Sequence, residues 1–363
     1  MRKPLLAFLL LALTASASAA DLPKNIILVI GDGMGPVHFS VARRERGAAF
    51  RIGTMPVIGM AATQSLDRAV TDSGAAASAM ATGEKTIDEG ISVAVAEDGT
   101  VTSRETVLER AEKLGKATGL VTTTAFFDAT PAAFAAHQRK RGDFALIVPQ
   151  MLRSGVDVIL SAGASSFGTA RLQPLAEFVV GTGFTVVSNR AELEATTAEK
   201  VLGVFASQPR DIDNPEVPLP LLARWAIDRL RKDPEGFFLM IEHEGTDSAS
   251  HQNNAADLLS SLKSFDEAVG AALDFAQSRN DTLVVVTGDH ETGAFRISET
   301  RLGRWRYEFT TVDHTGVAVP IFAYGPGSAA FGKFMENSDL GKLLLAAVAT
   351  PAAAPRAQAK GKR

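Results

Sequence analysis

The alternation of apolar and polar segments along the chain predicts an α/β fold. Five apolar runs have the length and composition of strands covered on both faces, and they occupy residues 25–31, 118–124, 156–161, 236–242 and 282–287. Segments with a helical pattern occupy residues 104–114, 218–232 and 338–349. This order predicts one α/β domain with a mostly parallel central sheet and helices on both faces.

Further elements follow from turn chemistry and spacing. Ile91–Thr102 alternates through Asp98-Gly99, which predicts a β-hairpin, and residues 318–324 predict a last strand. A helix that carries Asp247 and His251 is expected to continue to about residue 279. Residues 165–215 carry no clear periodicity, so the sequence predicts only mixed short elements there.

The two ends of the chain differ in character from its body. Residues 1–20 combine a basic start, a short apolar run and an A-x-A site, which predicts a cleaved secretory signal peptide and a periplasmic or secreted protein. Residues 351–363 form an Ala/Pro/Lys tail that we expect to be disordered. The catalytic domain is therefore predicted to span residues 21–350, and no later segment reaches transmembrane length.

Composition excludes several function classes. The chain has no cysteine, so neither a disulfide nor a thiolate nucleophile or ligand is available. The two ends hold six of the 37 basic residues and no acid, which leaves 31 bases against 41 acids between them, a net charge of −10. An acidic body argues against a nucleic-acid-binding surface, so attraction of an anionic substrate must come from a local source such as bound metal.

The stretch from Val70 to Gly83 places a hydroxyl and a carboxylate at the start of an Ala-rich run. Asp72 or Ser73 can cap the resulting helix, which brings the Ser73 hydroxyl next to free backbone N–H groups and the positive end of the helix dipole. Such a position suits a phosphate or another tetrahedral anion. An ordinary helix cap is the alternative reading of this stretch.

Acids and histidines recur where the predicted strands end, and they sort by ligand type. Asp247, His251 and His314 form the two-histidine, one-carboxylate set of a catalytic zinc site. The other candidates are Asp289, His290 and Asp32 for a second zinc, and Asp32, Glu242 and Thr130 for a magnesium ion with oxygen ligands. Taken singly, each residue could equally be structural; their joint placement at sheet ends favours a metal centre.

Two zinc ions about 3.5–4 Å apart can hold the attacking and leaving oxygens of an in-line phosphoryl transfer, with Ser73 as the nucleophile. An arginine fork matches the non-bridging phosphoryl oxygens. The basic cluster at residues 139–141 offers this group, but the residues alone do not separate Arg141 from Arg139.

Six separated motifs, in order between about Asn25 and Gly327, resemble those of the bacterial alkaline phosphatases. They occupy residues 29–35, 71–83, 128–141, 236–251, 287–292 and 313–316. The resemblance implies a phosphomonoesterase of broad specificity, with Ser73 as nucleophile and Arg141 as phosphate clamp positioned by Asp72. It also implies the same two zinc sites and one magnesium site, and it places Asp128 against a magnesium-bound water.

Several features depart from the family pattern or leave alternatives open. Ser248 stands where many relatives carry Lys or His, and the segment between His290 and His314 is short, which favours a monomer over a dimer. Glu244 could compete with Glu242 for the metal, although Glu242 has the family spacing to Asp247. Thr71 could replace Ser73 as nucleophile, whereas His38, His137 and His243 are expected to be structural.

Three other functions remain to be weighed against a monoesterase. A phosphodiesterase of the same superfamily is disfavoured by the all-oxygen third site and by Arg141, because a diester has one fewer charged oxygen to neutralise. A sulfatase is disfavoured because its modification signature is absent around Ser73. A non-catalytic phosphate-binding protein is disfavoured because every ligand position is filled.

Overall fold

The computed structural model of the protein describes residues 22–163, 166–170, 172–206 and 215–349. The predicted signal peptide, residues 1–20, and the predicted tail, residues 351–363, lie outside the described residues. No helix within these ranges is both long enough and apolar enough to cross a bilayer.

Strands and helices alternate over most of the chain. The strands are β1 Asn25–Gly31, β2 Val57–Ala62, β3 Val93–Val95, β4 Val101–Ser103, β5 Ala117–Ala125, β6 Val158–Ala162, β7 Thr185–Val187, β8 Val201–Val204, β9 Phe237–His243, β10 Thr282–Gly288, β11 Glu291–Thr292, β12 Arg296–Glu299, β13 Trp305–Glu308, β14 His314–Thr315, β15 Val319–Tyr324 and β16 Phe334–Glu336. The helices are α1 Pro36–Arg46, α2 Ser73–Thr82, α3 Val107–Lys113, α4 Ala129–Ala135, α5 Phe144–Met151, α6 Ser166–Thr169, α7 Leu175–Phe178, α8 Arg190–Ala195, α9 Leu219–Leu230, α10 Gly245–His251, α11 Ala255–Gln277 and α12 Asn337–Val348.

In the described part of the chain, ten strands form one sheet in the order β16-β2-β15-β10-β1-β9-β5-β6-β8-β7. Its neighbouring strands are parallel except where β15 pairs with β10 and β2. Three two-stranded ribbons, β3-β4, β11-β14 and β12-β13, lie outside it. The mostly parallel α/β sheet predicted from the sequence is thus confirmed.

The core lies on both faces of the sheet because the central strands β1, β5, β9 and β10 are buried at every position. In β1, Ile26, Leu28 and Ile30 pack on one face, whereas Ile27 and Val29 pack on the other. Side chains of α2, α3, α4, α5 and α12 cover the first face. Side chains of α1, α9 and α11 cover the second. Each fully buried Val, Leu, Ile, Phe or Met side chain contributes about 1.5–3 kcal/mol of hydrophobic stabilisation.

Most predicted elements are present within one or two residues of the expected bounds, and the β3-β4 hairpin turns through Gly99 as predicted. The prediction of one long helix continuing from the Asp247 region was wrong. The first helix ends at His251, Asn253 adopts a left-handed φ of 52°, and a new helix starts at Ala255. The Asn254 side chain caps that helix by accepting hydrogen bonds from the amides of Ala256 and Asp257.

Candidate active site

Three adjacent strands end at the same level of the sheet and bring acidic residues together. Gly31 of β1 pairs with Gly288 of β10 on one side and with His243 of β9 on the other. The residues that directly follow these three strand ends are Asp32, Asp289 and Glu244. Because the strands are parallel, all three residues lie at the carboxyl edge, where open α/β sheets bind ligands.

The first group of side chains consists of Asp247, His251 and His314. Asp247 and His251 lie one turn apart on α10, and the His251 Nε2 is 3.1 Å from Asp247 Oδ2. The Nε2 atoms of His251 and His314 are 3.1 Å apart, and His314 Nε2 is 3.6 Å from Asp247 Oδ1. Two imidazole nitrogens and a carboxylate therefore face one small volume, as the ligands of a tetrahedral zinc do.

The remaining ring nitrogens of these histidines contact backbone oxygens. His251 Nδ1 contacts the Val312 carbonyl oxygen, and His314 Nδ1 lies 2.9 Å from the Thr71 carbonyl oxygen. Such contacts are the usual way in which a metal-binding histidine is oriented and its tautomer fixed.

The second group surrounds the buried His290 side chain. Its Nε2 lies 3.4 Å from Asp32 Oδ1, 3.3 Å from Asp289 Oδ2 and 3.2 Å from Ser73 Oγ. Asp289 is held by its other oxygen, which accepts hydrogen bonds from the amides of Gly33 and His290. Gly33 adopts a φ of 71°, and a Cβ there would lie 2.9 Å from the Cα of Asp247, so this turn requires glycine.

The third group has oxygen ligands only. Asp32 Oδ2 is 3.5 Å from the Thr130 hydroxyl, whereas Asp32 Oδ1 faces His290, so this one carboxylate borders both the second and the third groups. Glu242 accepts a hydrogen bond from the Thr122 hydroxyl through Oε2. The carboxylates of Asp32, Glu242 and Glu244 can place one oxygen each within 4.8 Å of one another.

Ser73 is the first residue of α2 and is only 5% exposed. Asp72 is the helix cap, and its carboxylate accepts hydrogen bonds from the amides of Gly74 and Ala75 at 2.9 and 3.0 Å. The Thr71 hydroxyl instead donates to the Asp72 carbonyl oxygen. The Ser73 oxygen therefore lies both at the positive end of a helix dipole and against the His290 group.

Arg141 is held between two carboxylates near this helix start. Its Nη1 donates to Asp72 Oδ2 at 3.2 Å and its Nη2 donates to Asp128 Oδ1 at 3.0 Å. Although burial opposes charging, these two acids raise the pKa of Arg141 further above its ordinary value. Arg139 is exposed, so the structure distinguishes two arginines that the residues alone did not separate.

Burial dominates the electrostatics of the second and third groups. It raises the pKa of Asp289 to about 6 and that of Glu242 to about 8, and together with repulsion from Asp289 it raises the pKa of Asp32 well above its usual range. Burial also lowers the pKa of His290 to about 4. A bound cation would accept the lone pair of the neutral imidazole and would offset the repulsion between the crowded carboxylates.

The first group behaves differently because its charges are paired. Burial opposes ionisation of Asp247, but the hydrogen bond with His251 and the nearby histidines hold the pKa of Asp247 below its ordinary value. The same hydrogen bond raises the pKa of His251 to about 9.

The donor atoms present fit metal ions. Among the described residues, Asp32 Oδ1, Glu242 Oε1 and Asp289 Oδ2 are buried oxygens without a hydrogen-bond partner. Buried polar atoms are rarely left in this state unless a water or an ion satisfies them. The two groups that include histidine suit zinc, and the all-oxygen group suits a hard cation such as magnesium.

Sequence reasoning missed the residues that support the site. The Thr292 hydroxyl contacts both Asp247 Oδ1 and His290 Nδ1, and Glu291 accepts from the Thr315 hydroxyl. Their only signal was proximity to His290 in the sequence. Thr122 lies inside a buried strand, and nothing in the sequence marks it.

The histidines expected to be structural differ in their surroundings. His137 lies 2.9 Å from the Glu109 carboxylate, and the buried His38 contacts the Ser250 hydroxyl. Burial lowers the pKa of His38 to about 3, so this side chain is neutral. His243 is buried on β9.

Comparison with known proteins agrees with this geometry. The family profile described as alkaline phosphatase matches residues 23–307. The chain is 30% identical to alkaline phosphatase 3 of Bacillus subtilis (strain 168), covering 88% of this chain and 87% of that protein. It is 31% identical to the alkaline phosphatase of Escherichia coli (strain K12), with coverage of 89% and 86%.

Solved structures give the same result. The alkaline phosphatase from the Antarctic bacterium TAB5 is 31% identical and superposes with a TM-score of 0.81, covering 90% of this chain and 98% of that one. A variant of that enzyme has Mg bound in a site named M3. On the family profile and on relatives at about 30% identity over nearly nine-tenths of its length, the chain belongs to the alkaline phosphatase family.

Proposed function

We propose that the protein hydrolyses phosphate monoesters of broad structure through a phosphoserine intermediate on Ser73 and releases inorganic phosphate. The observation that carries this proposal is the position of Ser73 Oγ at the start of α2, 3.2 Å from His290 Nε2. That nitrogen in turn lies 3.4 Å from Asp32 Oδ1 and 3.3 Å from Asp289 Oδ2. Membership of the alkaline phosphatase family supports it.

We assign the three groups to two zinc ions and one magnesium ion. Asp247, His251 and His314 would hold one zinc, and Asp289 and His290 would hold the other with Asp32. Asp32, Thr130 and Glu242 would hold magnesium, with Asp128 against one of its waters. Bound zinc would lower the pKa of a coordinated hydroxyl or water and offset negative charge on phosphoryl oxygens. The Mg in the M3 site of the TAB5 variant supports a third position of this kind.

The chain's own residues account for the rest of the chemistry. The Ser73 oxygen attacks phosphorus, the bond from phosphorus to the ester oxygen breaks, and the alcohol leaves with a proton. The positive end of the α2 dipole and the Arg141 guanidinium stabilise charge on the transferring phosphoryl group. A water then attacks the phosphoserine, which frees Ser73 and yields inorganic phosphate.

The Ser73→Ala variant tests this proposal against hydrolysis of an aryl phosphate. Loss of the nucleophile is expected to lower kcat at least about 1,000-fold, while the zinc and magnesium contents measured by elemental analysis stay unchanged. Ser78→Ala is the matched control, because Ser78 lies on the same helix but donates to the Gly90 carbonyl oxygen. Full activity in Ser73→Ala would overturn the proposal.

The two competing functions give different results in one assay series. A diesterase would hydrolyse an aryl diester faster than the matching monoester, whereas we expect the reverse. A protein that only binds phosphate would release none from a monoester. We expect release, loss of release on chelation, and recovery when zinc and magnesium are restored.

We also propose that the protein is exported after removal of residues 1–20 and acts as a monomer or dimer. The basic start, short apolar run and A-x-A site support export. N-terminal sequencing of the protein from the periplasm or medium should begin at or next to residue 21. A mature chain that retains Met1 would contradict cleavage, and sedimentation would decide the oligomeric state.

A further inference from the structure

Glu244 lies at the third group of the site, although the family spacing assigns that role to Glu242. It directly follows β9, so it stands level with Asp32 at the end of the neighbouring strand β1. Glu242 lies in β9, and Glu244 begins the turn into α10 with helical φ and ψ of −74° and −30°. Strand register therefore brings the start of this turn level with Asp32.

The backbone around Glu244 is fixed by hydrogen bonds. Its amide donates to the Thr123 hydroxyl at 2.9 Å, and its carbonyl oxygen accepts from the Asp247 amide at 3.0 Å as α10 begins. Glu244 is thus tied on one side to β5 and on the other to the helix that carries Asp247. Because these hydrogen bonds fix the backbone, the Glu244 carboxylate starts from a fixed position, as a metal ligand requires and a mobile surface acid does not.

The side chains around Glu244 form an unbalanced cluster of carboxylates. Asp32 and Glu242 are each 1% exposed, and Asp32, Glu242 and Glu244 each have a carboxylate oxygen within 4.8 Å of the other two. Glu242 uses Oε2 to accept from Thr122, while its Oε1 is buried without a partner among the described residues. An orphaned oxygen beside two further carboxylates indicates a position for a cation.

Nearby positive charge is already committed elsewhere. Arg141 is engaged by Asp72 and Asp128. Three carboxylates at this spacing repel one another, and a divalent cation between them removes that repulsion while satisfying their oxygens.

We propose that Glu244 is a ligand of the third cation in addition to Asp32, Thr130 and Glu242, so that three carboxylates and one hydroxyl hold the ion. The inference rests on the proposed function, which places a hard cation at this group. The added carboxylate replaces a water ligand and raises the negative charge of the site. Since ligand charge and number set the affinity for hard cations, the third ion is held more tightly than two carboxylates would hold it.

Manganese binding tests this proposal without using turnover. Mn²⁺ accepts the same oxygen ligands as Mg²⁺ and is detected by electron paramagnetic resonance. The wild type and three variants are prepared with zinc bound and magnesium removed, and each is titrated with Mn²⁺. The variants are Glu244→Gln, Glu244→Asp and Glu242→Gln. We expect Glu244→Gln to raise the Kd for Mn²⁺ at least about tenfold, with zinc content unchanged and with Glu244→Asp intermediate.

Glu112→Gln is the matched control, because Glu112 is a partly buried glutamate that accepts from the Thr118 hydroxyl, outside the site. Its Kd should equal that of the wild type. If Glu242→Gln weakens Mn²⁺ binding but Glu244→Gln leaves it within twofold, the inference is wrong and the proposed third site stands. If neither variant changes binding, both this inference and the magnesium assignment fail, while the Ser73 test of the proposed function is unaffected.

Discussion

Replacement of Arg141 by lysine tests how the phosphoryl group is held. A guanidinium has five N–H donors, and two of these bond to Asp72 and Asp128, which leaves three for phosphate oxygens. A lysine ammonium has only three donors. If two of them satisfy the same carboxylates, one remains, and the paired contact to two phosphoryl oxygens is lost.

The size of the effect follows from that count. One hydrogen bond between charged groups contributes about 1.5–3 kcal/mol. Its loss from the transition state should therefore lower kcat/KM about 10- to 150-fold. In the proposed mechanism Arg141 would also hold bound phosphate, so the inhibition constant for inorganic phosphate should rise in parallel.

The assay compares steady-state hydrolysis of an aryl phosphate by Arg141→Lys and Arg139→Lys. Arg139 is exposed, so its substitution should change kcat/KM less than about twofold. A thermal melt of each variant excludes loss of folded protein as the cause. Activity of Arg141→Lys within twofold of the wild type, or an equal loss in both variants, would refute this account of the clamp.

Two further predictions concern stability. Burial raises the pKa of Glu112 from 4.5 to about 7, so its ionisation costs nothing below about pH 4.5 and destabilises the fold fully above about pH 7. Glu112→Gln should therefore stabilise the protein by about 1–2 kcal/mol at pH 8.5, after allowance for partial solvent exposure. Near pH 4.5 the same variant should not change stability. Equal shifts of the melting temperature at both pH values would contradict this prediction. In Gly341→Ala the new Cβ would lie 2.3 Å from the Ala79 carbonyl oxygen, where α12 crosses α2. Urea unfolding should show a loss of about 1–3 kcal/mol, whereas Gly168→Ala, whose Cβ meets no atom of the described residues within 4 Å, should be nearly neutral. Similar values for the two variants would argue against close packing of α12 on α2.

Local elements could be predicted from the sequence because their causes are local. The apolar run of β1 and the Asp72 cap before an Ala-rich segment depend on residues next to one another in the chain. The break between α10 and α11 was not predicted, although two adjacent asparagines make it: Asn253 has a left-handed φ, and the extended Asn254 caps the next helix. The reversed direction of β15 has no local signal.

The types of metal ligand could be predicted from the sequence, but which of them lie close together in space could not. Asp32 and His314 are far apart in the chain, and they become neighbours of His290 only because strand register aligns the ends of β1 and β10 and the β11-β14 ribbon returns His314 to the site. The choice of Arg141 over Arg139 on physical grounds required its contacts with Asp72 and Asp128.

Glu244 shows the same division. The sequence places it two residues from Glu242 and offers the two as competitors, whereas the sheet sets both beside Asp32. Side-chain chemistry and helix or strand periodicity are properties of short segments, so the sequence determined which donors exist and which elements carry them. Distances between donors depend on register across the sheet and on packing of helices against it, so only the tertiary structure decided which donors share a site.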